Sequence, residues 1–203
     1  MPDAVSPPTR PHGLLLAAAV AAWFGLWYLT PGLHGNGVGS LVTDDAAVRV
    51  SLESIAALTI AVGLVGAHRR FNSTLFAVSP ALWIYTVPVV AALALPLHYG
   101  MGLPIGIYMF WMTVSVFWQD YLTFGLLQSY LAQRLRPWAV LSVSAVVFWA
   151  GHALLLPDTF APANPLPSVA ILALGFALGG MRLWLGSLHV LLAAHLTFYY
   201  VFA

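Results

Sequence analysis

Asp120 lies inside residues 107–131, a run that is otherwise apolar apart from small hydroxyls and a few amides. An ionised side chain at the centre of a bilayer costs about 2.5–3.5 kcal/mol on insertion scales, so intramembrane carboxylates mark pairing or chemistry. Two imidazoles, His152 and His195, lie in two later apolar runs. Such a trio suits proton transfer, with the carboxylate acting as a general base when ionised and a general acid when protonated. His, His and Asp also form a familiar facial set for a metal. No HExxH-like spacing accompanies them and separate runs supply the imidazoles, so no metal and no other cofactor is expected.

The elements that must carry these residues are membrane helices. Of 203 residues, 61% are hydrophobic and 6% charged, and mean hydropathy is +0.90. Soluble domains carry about 25% charged residues. The reading is an all-α, polytopic transmembrane bundle of about seven helices, at 13–30, 51–67, 77–97, 105–132, 138–156, 166–181 and 184–201. Most of these reach the about 17–25 residues that span a bilayer, and Pro/Gly-rich connections separate them. Residues 1–12 read as a disordered cytoplasmic head and 13–203 as a single transmembrane domain. The first run is expected to be a retained helix rather than a cleaved leader. Trp23, Trp27 and Tyr28 stand where a cleavage site needs small residues.

Charge excludes some partners and orients the chain. With no Lys and no basic cluster, nucleic acid is not an expected partner. The absence of cysteine excludes thiolate chemistry and disulfides. With the N-terminus inside, Arg10, Arg69, Arg70, Arg134, Arg136 and Arg182 fall in cytoplasmic segments and Arg49 outside, a positive-inside bias. The C-terminus is then outside. The expected location is integral to a bacterial cell membrane.

At 1.5 Å per residue, Asp120, His152 and His195 lie about 18, 21 and 16 Å from the cytoplasmic ends of their helices. One shared intramembrane pocket follows. Neighbouring helix positions point about 100° apart, so Asp120 and Gln119 cannot both face one point. A small rotation would bring Asp120 to His152, leaving Gln119 to orient a substrate group through its amide. Phe117, Tyr121 and Phe124 lie within a turn of Asp120, Phe148 and Trp149 precede His152, and Phe198 and Tyr199 follow His195. These rings are expected to line the pocket, where aromatic faces stabilise a desolvated cation by about 0.5–2 kcal/mol each.

The pattern resembles the CPBP family of membrane proteases, which includes CAAX prenyl proteases and bacteriocin-processing proteins. The likeness covers about 105–203. That family carries paired glutamates followed three residues later by Arg-Gly, then Phe-x-x-x-His, then His-x-x-x-Asn. Here Gln119 and Asp120 stand in place of the glutamates, with Phe124 and Gly125 in place of Arg-Gly. Phe148 and His152 complete the second motif. His195 opens the third, with Tyr199 in place of its Asn. The resemblance implies a CPBP-like core and peptidase-type hydrolysis of a membrane-associated, prenylated substrate. It implies Asp120 as base or acid, His152 as its partner, and His195 and Tyr199 as oxyanion donors. Gln119 cannot take up a proton at any useful pH, so the first glutamate's role has to be met differently.

Two other readings fit the same residues. A buried acid in an aromatic cage suits protonation-initiated isoprenoid cyclisation, as in a membrane terpene cyclase. A catalytically inactive family member could bind a membrane peptide. The bilayer and a membrane-borne peptide or isoprenoid are the expected partners in each case. The remaining polar groups read as structural. His189 is a packing residue, His12, His34, His68 and His98 are interfacial anchors, and Asp44 and Asp45 belong to a solvated loop. The GxxxG spacings at Gly102/Gly106 and Gly175/Gly179 read as close helix approaches.

Overall fold

The computed structural model describes residues 13–32 and 37–203. The expected head at 1–12, with Arg10 and His12, and His34 lie outside the described residues. Among those described there is no strand.

Helix α1 (Gly13–Trp27) leads through a 3₁₀ turn, Val38–Leu41, to α2 (Ala46–Ala67) and the short α3 (Arg69–Leu75). The third apolar run folds as a 3₁₀ turn Pro80–Tyr85, α4 (Thr86–Ala94) and a closing 3₁₀ turn Leu95–Leu97. Helix α5 (Ile105–Asp120) continues into a π-helical segment, Tyr121–Leu127, and then α6 (Gln128–Leu131). Helices α7 (Pro137–Leu155), α8 (Pro157–Phe160), α9 (Pro165–Leu185) and α10 (His189–Val201) complete the chain.

Local chemistry sets the boundaries. Prolines at 137, 157 and 165 open α7, α8 and α9, where a missing N–H costs nothing because the first turn has no intrahelical acceptor for it. Asp45 caps α2, its carboxylate accepting from the Val48 N–H at 2.9 Å. The second helix therefore begins five residues before the run at 51–67, because Ala46 to Val50 can wind once the cap is in place. Gly186, at φ +71°, ends α9 in the left-handed conformation that glycine adopts without steric cost.

Among the described residues, four helices are long and apolar enough to cross a membrane: Ala46–Ala67, Pro80–Leu97, Pro137–Leu155 and Pro165–Leu185. In the window of Pro80–Leu97, 17% of residues are buried within the protein, so most of its apolar surface faces outward. Outward-facing hydrocarbon of this extent marks a membrane protein. Gly13–Trp27 and His189–Val201 are shorter apolar helices.

The core is built round α5 and its π continuation. From Val114 to Gln128 every residue is buried except the half-buried Phe117. Three hydrogen bonds pin the π segment and its end from different sides. Trp23 Nε1–H donates to Thr123 Oγ1 at 3.0 Å, the Tyr121 hydroxyl to Asn72 Oδ1 at 3.0 Å, and Gln128 Nε2–H to the Gly179 carbonyl at 3.0 Å. Helix α7 packs along α9, α2 along α5, and α10 against α4, α5 and the Pro80–Tyr85 turn. Gly175 makes the α7–α9 approach close, since a Cβ there would lie 3.1 Å from Ala145 Cα. The expected approach at Gly102 and Gly106 is absent: a Cβ at either would meet nothing within 4 Å. Both face open space ahead of α5 and at its first turn.

Candidate functional site

A cavity of about 710 Å³ opens between α5, α7, α9 and α10. Gln119 from α5, His152 from α7, and His195 and Tyr199 from α10 are among its polar residues, and most of its wall is hydrocarbon. Helix periodicity explains the choice of residues. Tyr108, Met112, Ser115 and Gln119 recur at three- and four-residue steps along one face of α5, as do Pro167, Ala170, Ile171 and Leu174 on α9.

Asp120 does not line the cavity. It is fully buried, turned by the helical step away from the face that carries Gln119. Its carboxylate meets His195, with Nδ1 at 3.0 Å from Oδ1 and 3.2 Å from Oδ2. The expected pairing of Asp120 with His152 is therefore replaced by pairing with His195. His152 Nδ1 is instead 2.9 Å from the carbonyl of Phe148, one turn back on its own helix. A carbonyl only accepts, so Nδ1 of His152 carries the proton and Nε2 of the neutral ring has a free lone pair. An ionised Asp120 fixes His195 in the same tautomer. Both imidazoles thus use Nδ1 on the protein and leave Nε2 for the cavity they line.

Gln119 is 6% exposed. Its Oε1 is enclosed and meets no donor, and the described residues supply no hydrogen bond to either end of its amide. The Tyr199 ring stacks on His195, with centroids 5.3 Å apart. His152 is wedged among Trp27, Phe148 and Phe160, at centroid distances of 4.6, 4.5 and 5.2 Å. These contacts fix the ring plane that the single hydrogen bond leaves free to rock.

Of the seven aromatic residues expected to line the pocket, Phe198 and Tyr199 reach the cavity. Phe117 stacks on Tyr121 at 5.4 Å and on Phe76 at 6.1 Å, and Tyr121 is spent on Asn72. Phe124 and Phe148 pack on each other at 5.4 Å within the core. Trp149 donates to Ser168 Oγ at 2.9 Å, fastening α7 to α9. The cavity takes its aromatic surface instead from residues such as Trp111, Tyr108, Phe160 and Phe202. Phe117 and Phe124, three and four positions from Asp120, share its face of the helix, and that face is turned to the core rather than to the cavity.

Sequence reasoning missed the segment between α1 and α2. Pro31 and Gly32 line the cavity. The carbonyl of Pro31 accepts from Trp111 Nε1 at 2.7 Å and from the Ser115 hydroxyl at 3.2 Å. Gly32 has φ +67°, and the Trp111 ring fills the space its Cβ would need. Holding this strap is Glu53, the sole glutamate of the chain, 7% exposed on α2. Its oxygens accept from the backbone N–H of Gly32 at 2.8 Å and of Gly39 at 3.2 Å. A signal was present, since Glu53 is a carboxylate in an apolar stretch just as Asp120 is.

The other polar groups are structural. His189 joins α10 to the segment before α4 through the Ala77 carbonyl at 3.1 Å and the Tyr85 hydroxyl at 3.3 Å. His98 reaches the Tyr200 carbonyl at 2.9 Å. Asp44 and Asp45 are exposed. Among the described residues, no group of three or more His, Cys, Asp or Glu side chains is arranged to hold a metal ion. Compared with known proteins, the chain matches no family model, no curated sequence and no solved structure.

Proposed function

We propose that this chain is an intramembrane hydrolase, a divergent enzyme of the CPBP type that cleaves an amide bond, in the manner of a peptidase, in a membrane-borne substrate with a prenyl-like apolar tail. In this reading it crosses the membrane seven times, with α5, the π segment and α6 forming the fourth crossing, the N-terminus inside and the C-terminus outside. The observation that carries the reading is the alignment of Asp120, His195 and the cavity: a buried carboxylate holds Nδ1–H and leaves Nε2 facing the space where a substrate fits. A base oriented by a third group is the recurring arrangement of acyl-transfer sites.

The roles follow from the contacts. His195 Nε2 takes a proton from water as the water oxygen bonds to the substrate carbonyl, and Asp120 stabilises the imidazolium that forms. The same proton then passes from Nε2 to the departing amine nitrogen as the C–N bond breaks. The Gln119 amide and the Tyr199 hydroxyl supply N–H and O–H donors for the oxyanion. His152 Nε2 accepts a hydrogen bond from the attacking water or the substrate. The base role thus belongs to His195 rather than Asp120, which has no surface in the cavity. That same enclosure weakens the cyclase reading, because an acid walled off by His195 cannot deliver a proton to a bound olefin.

Purified protein in lipid nanodiscs, incubated with farnesylated peptides and separately with farnesyl or geranylgeranyl diphosphate, tests the proposal. Expected are peptide cleavage by the wild type and its loss in His195→Gln and Asp120→Asn. Full turnover in both variants, a cyclised hydrocarbon product, or binding of the peptide without cleavage overturns it.

A further inference from the structure

A second cavity of about 340 Å³ lies on another flank of the central helix, between α1, the end of α2 and the π segment. Leu15, Leu64, Leu122 and Leu126 are among its hydrocarbon walls, and His68 and Tyr130 line it as well. Its polarity is graded along the bundle. His68 is the residue on which α2 ends, and Tyr130 lies one residue before α6 ends, so the polar groups gather where the helices stop and the hydrocarbon lies deeper.

Beyond that end stand two cations. The Arg70 guanidinium carbon sits 4.6 Å from the ring centroid of Phe71 and 5.9 Å from that of Tyr130. The Phe71 and Tyr130 rings meet edge to face at 5.1 Å. His68 Nδ1 donates to the Leu64 carbonyl at 2.8 Å, so its Nε2 accepts from the Tyr130 hydroxyl at 3.1 Å. The platform is therefore held in place by its own contacts. Arg69 and Arg70 are both exposed, and neither has a carboxylate in ion-pair contact among the described residues.

An apolar slot with Arg70 over the ring of its lining residue Tyr130, and Arg69 next in the chain to its lining residue His68, is complementary to a molecule with a hydrocarbon chain and a phosphate. Basic sites between membrane helices on the arginine-rich side bind anionic head groups in this way. We infer that the slot between α1, α2 and the π segment holds one acyl chain of an anionic glycerophospholipid, whose phosphate is received by Arg69 and Arg70. The bound chain covers the exposed Leu15 and lies against Leu122 and Leu126 of the π segment that follows Asp120. The site is separate from the cavity of His152 and His195 and does not depend on its chemistry.

The experiment compares phosphatidylglycerol with phosphatidylcholine of the same acyl composition, added to the full chain in detergent. Retained lipid is read by native mass spectrometry and the melting temperature by intrinsic fluorescence. Wild type is expected to retain phosphatidylglycerol preferentially and to melt higher with it than with phosphatidylcholine. The double variant Arg69→Gln/Arg70→Gln, altered only on exposed side chains, loses the head-group preference. Ala19 of α1 also lines the slot, and Ala19→Phe, which fills it, loses retention of the lipid while the arginines remain. Equal retention of the two lipids by wild type, an unchanged preference in the arginine variant, or full protection by inorganic phosphate alone overturns the inference.

Discussion

Asp120 and His195 stand 75 positions apart in the chain and meet through both carboxylate oxygens, at 3.0 and 3.2 Å from one ring nitrogen. The contact ties the end of α5 to the middle of α10, and among the described residues the carboxylate has no other hydrogen-bond partner. Asp120→Asn keeps an acceptor for Nδ1–H but removes the charge. Turnover should fall by about 10²–10⁴, the usual worth of a positioned acid–base group, while the melting temperature moves little. Asp120→Leu strands the buried imidazole N–H at a cost of about 1–3 kcal/mol. Activity assays and denaturant titration of the two variants separate these effects.

His152 contributes packing as well as a lone pair, since it sits within 4.5–5.2 Å of the Phe148, Trp27 and Phe160 ring centroids. His152→Phe preserves much of that packing and removes both nitrogens. Turnover is expected to drop about 10²-fold or more with helicity retained by circular dichroism. A variant of wild-type activity would remove His152 from the reacting centre.

Glu53 predicts a structural phenotype with a functional echo. Glu53→Ala leaves the N–H groups of Gly32 and Gly39 without their acceptors, costing about 1–3 kcal/mol for the buried donor of Gly39 and less for Gly32, which is exposed. Glu53→Gln keeps one acceptor oxygen and should recover part of the loss in a melting experiment. Because Gly32 lines the cavity, KM should rise in Glu53→Ala while the response to Asp120→Asn stays the same.

Gly151 lets α7 approach α1 closely. A Cβ there would lie 2.8 Å from Trp23 and 3.0 Å from Trp27, and both rings are buried. Gly151→Ala therefore overpacks the contact by about 1–3 kcal/mol. Trp23→Phe in the same chain should relieve part of that strain, less the hydrogen bond to Thr123, and melting temperatures of the single and double variants measure the difference.

The apolar runs were legible because lipid-facing helices need continuous hydrocarbon and the breaks fall at Pro and Gly, whose backbone limits are local. The meeting of Gln119, His152, His195 and Tyr199 was legible in part, since depth along a helix follows from counting residues. Direction was harder. The pairing of Asp120 with His195 rather than His152 depends on how α5 is rotated against α10, which packing of whole helices decides. The aromatic residues near Asp120 went to core packing for the same reason. Glu53 is hard to single out because a run beginning at residue 51 puts it in a first helical turn, where an acid is ordinary, whereas α2 begins at Ala46 and carries it two turns in. The π segment has no compositional mark, since Tyr121–Leu127 would suit an α-helix equally well.

That π segment has a consequence for inheritance. A wider turn is one residue longer than the α turn it replaces, so the helix above Asp120 and the helix from Gln128 onward are out of phase by one step. Deleting a single codon between positions 121 and 127 would bring them back into phase. Everything after the deletion would then swing by about 100°, and the Gln128 amide would leave the Gly179 carbonyl while Gln119 and Asp120 kept their bearings. The two halves of this helix are keyed to different neighbours, and only the surplus residue lets both locks close at once.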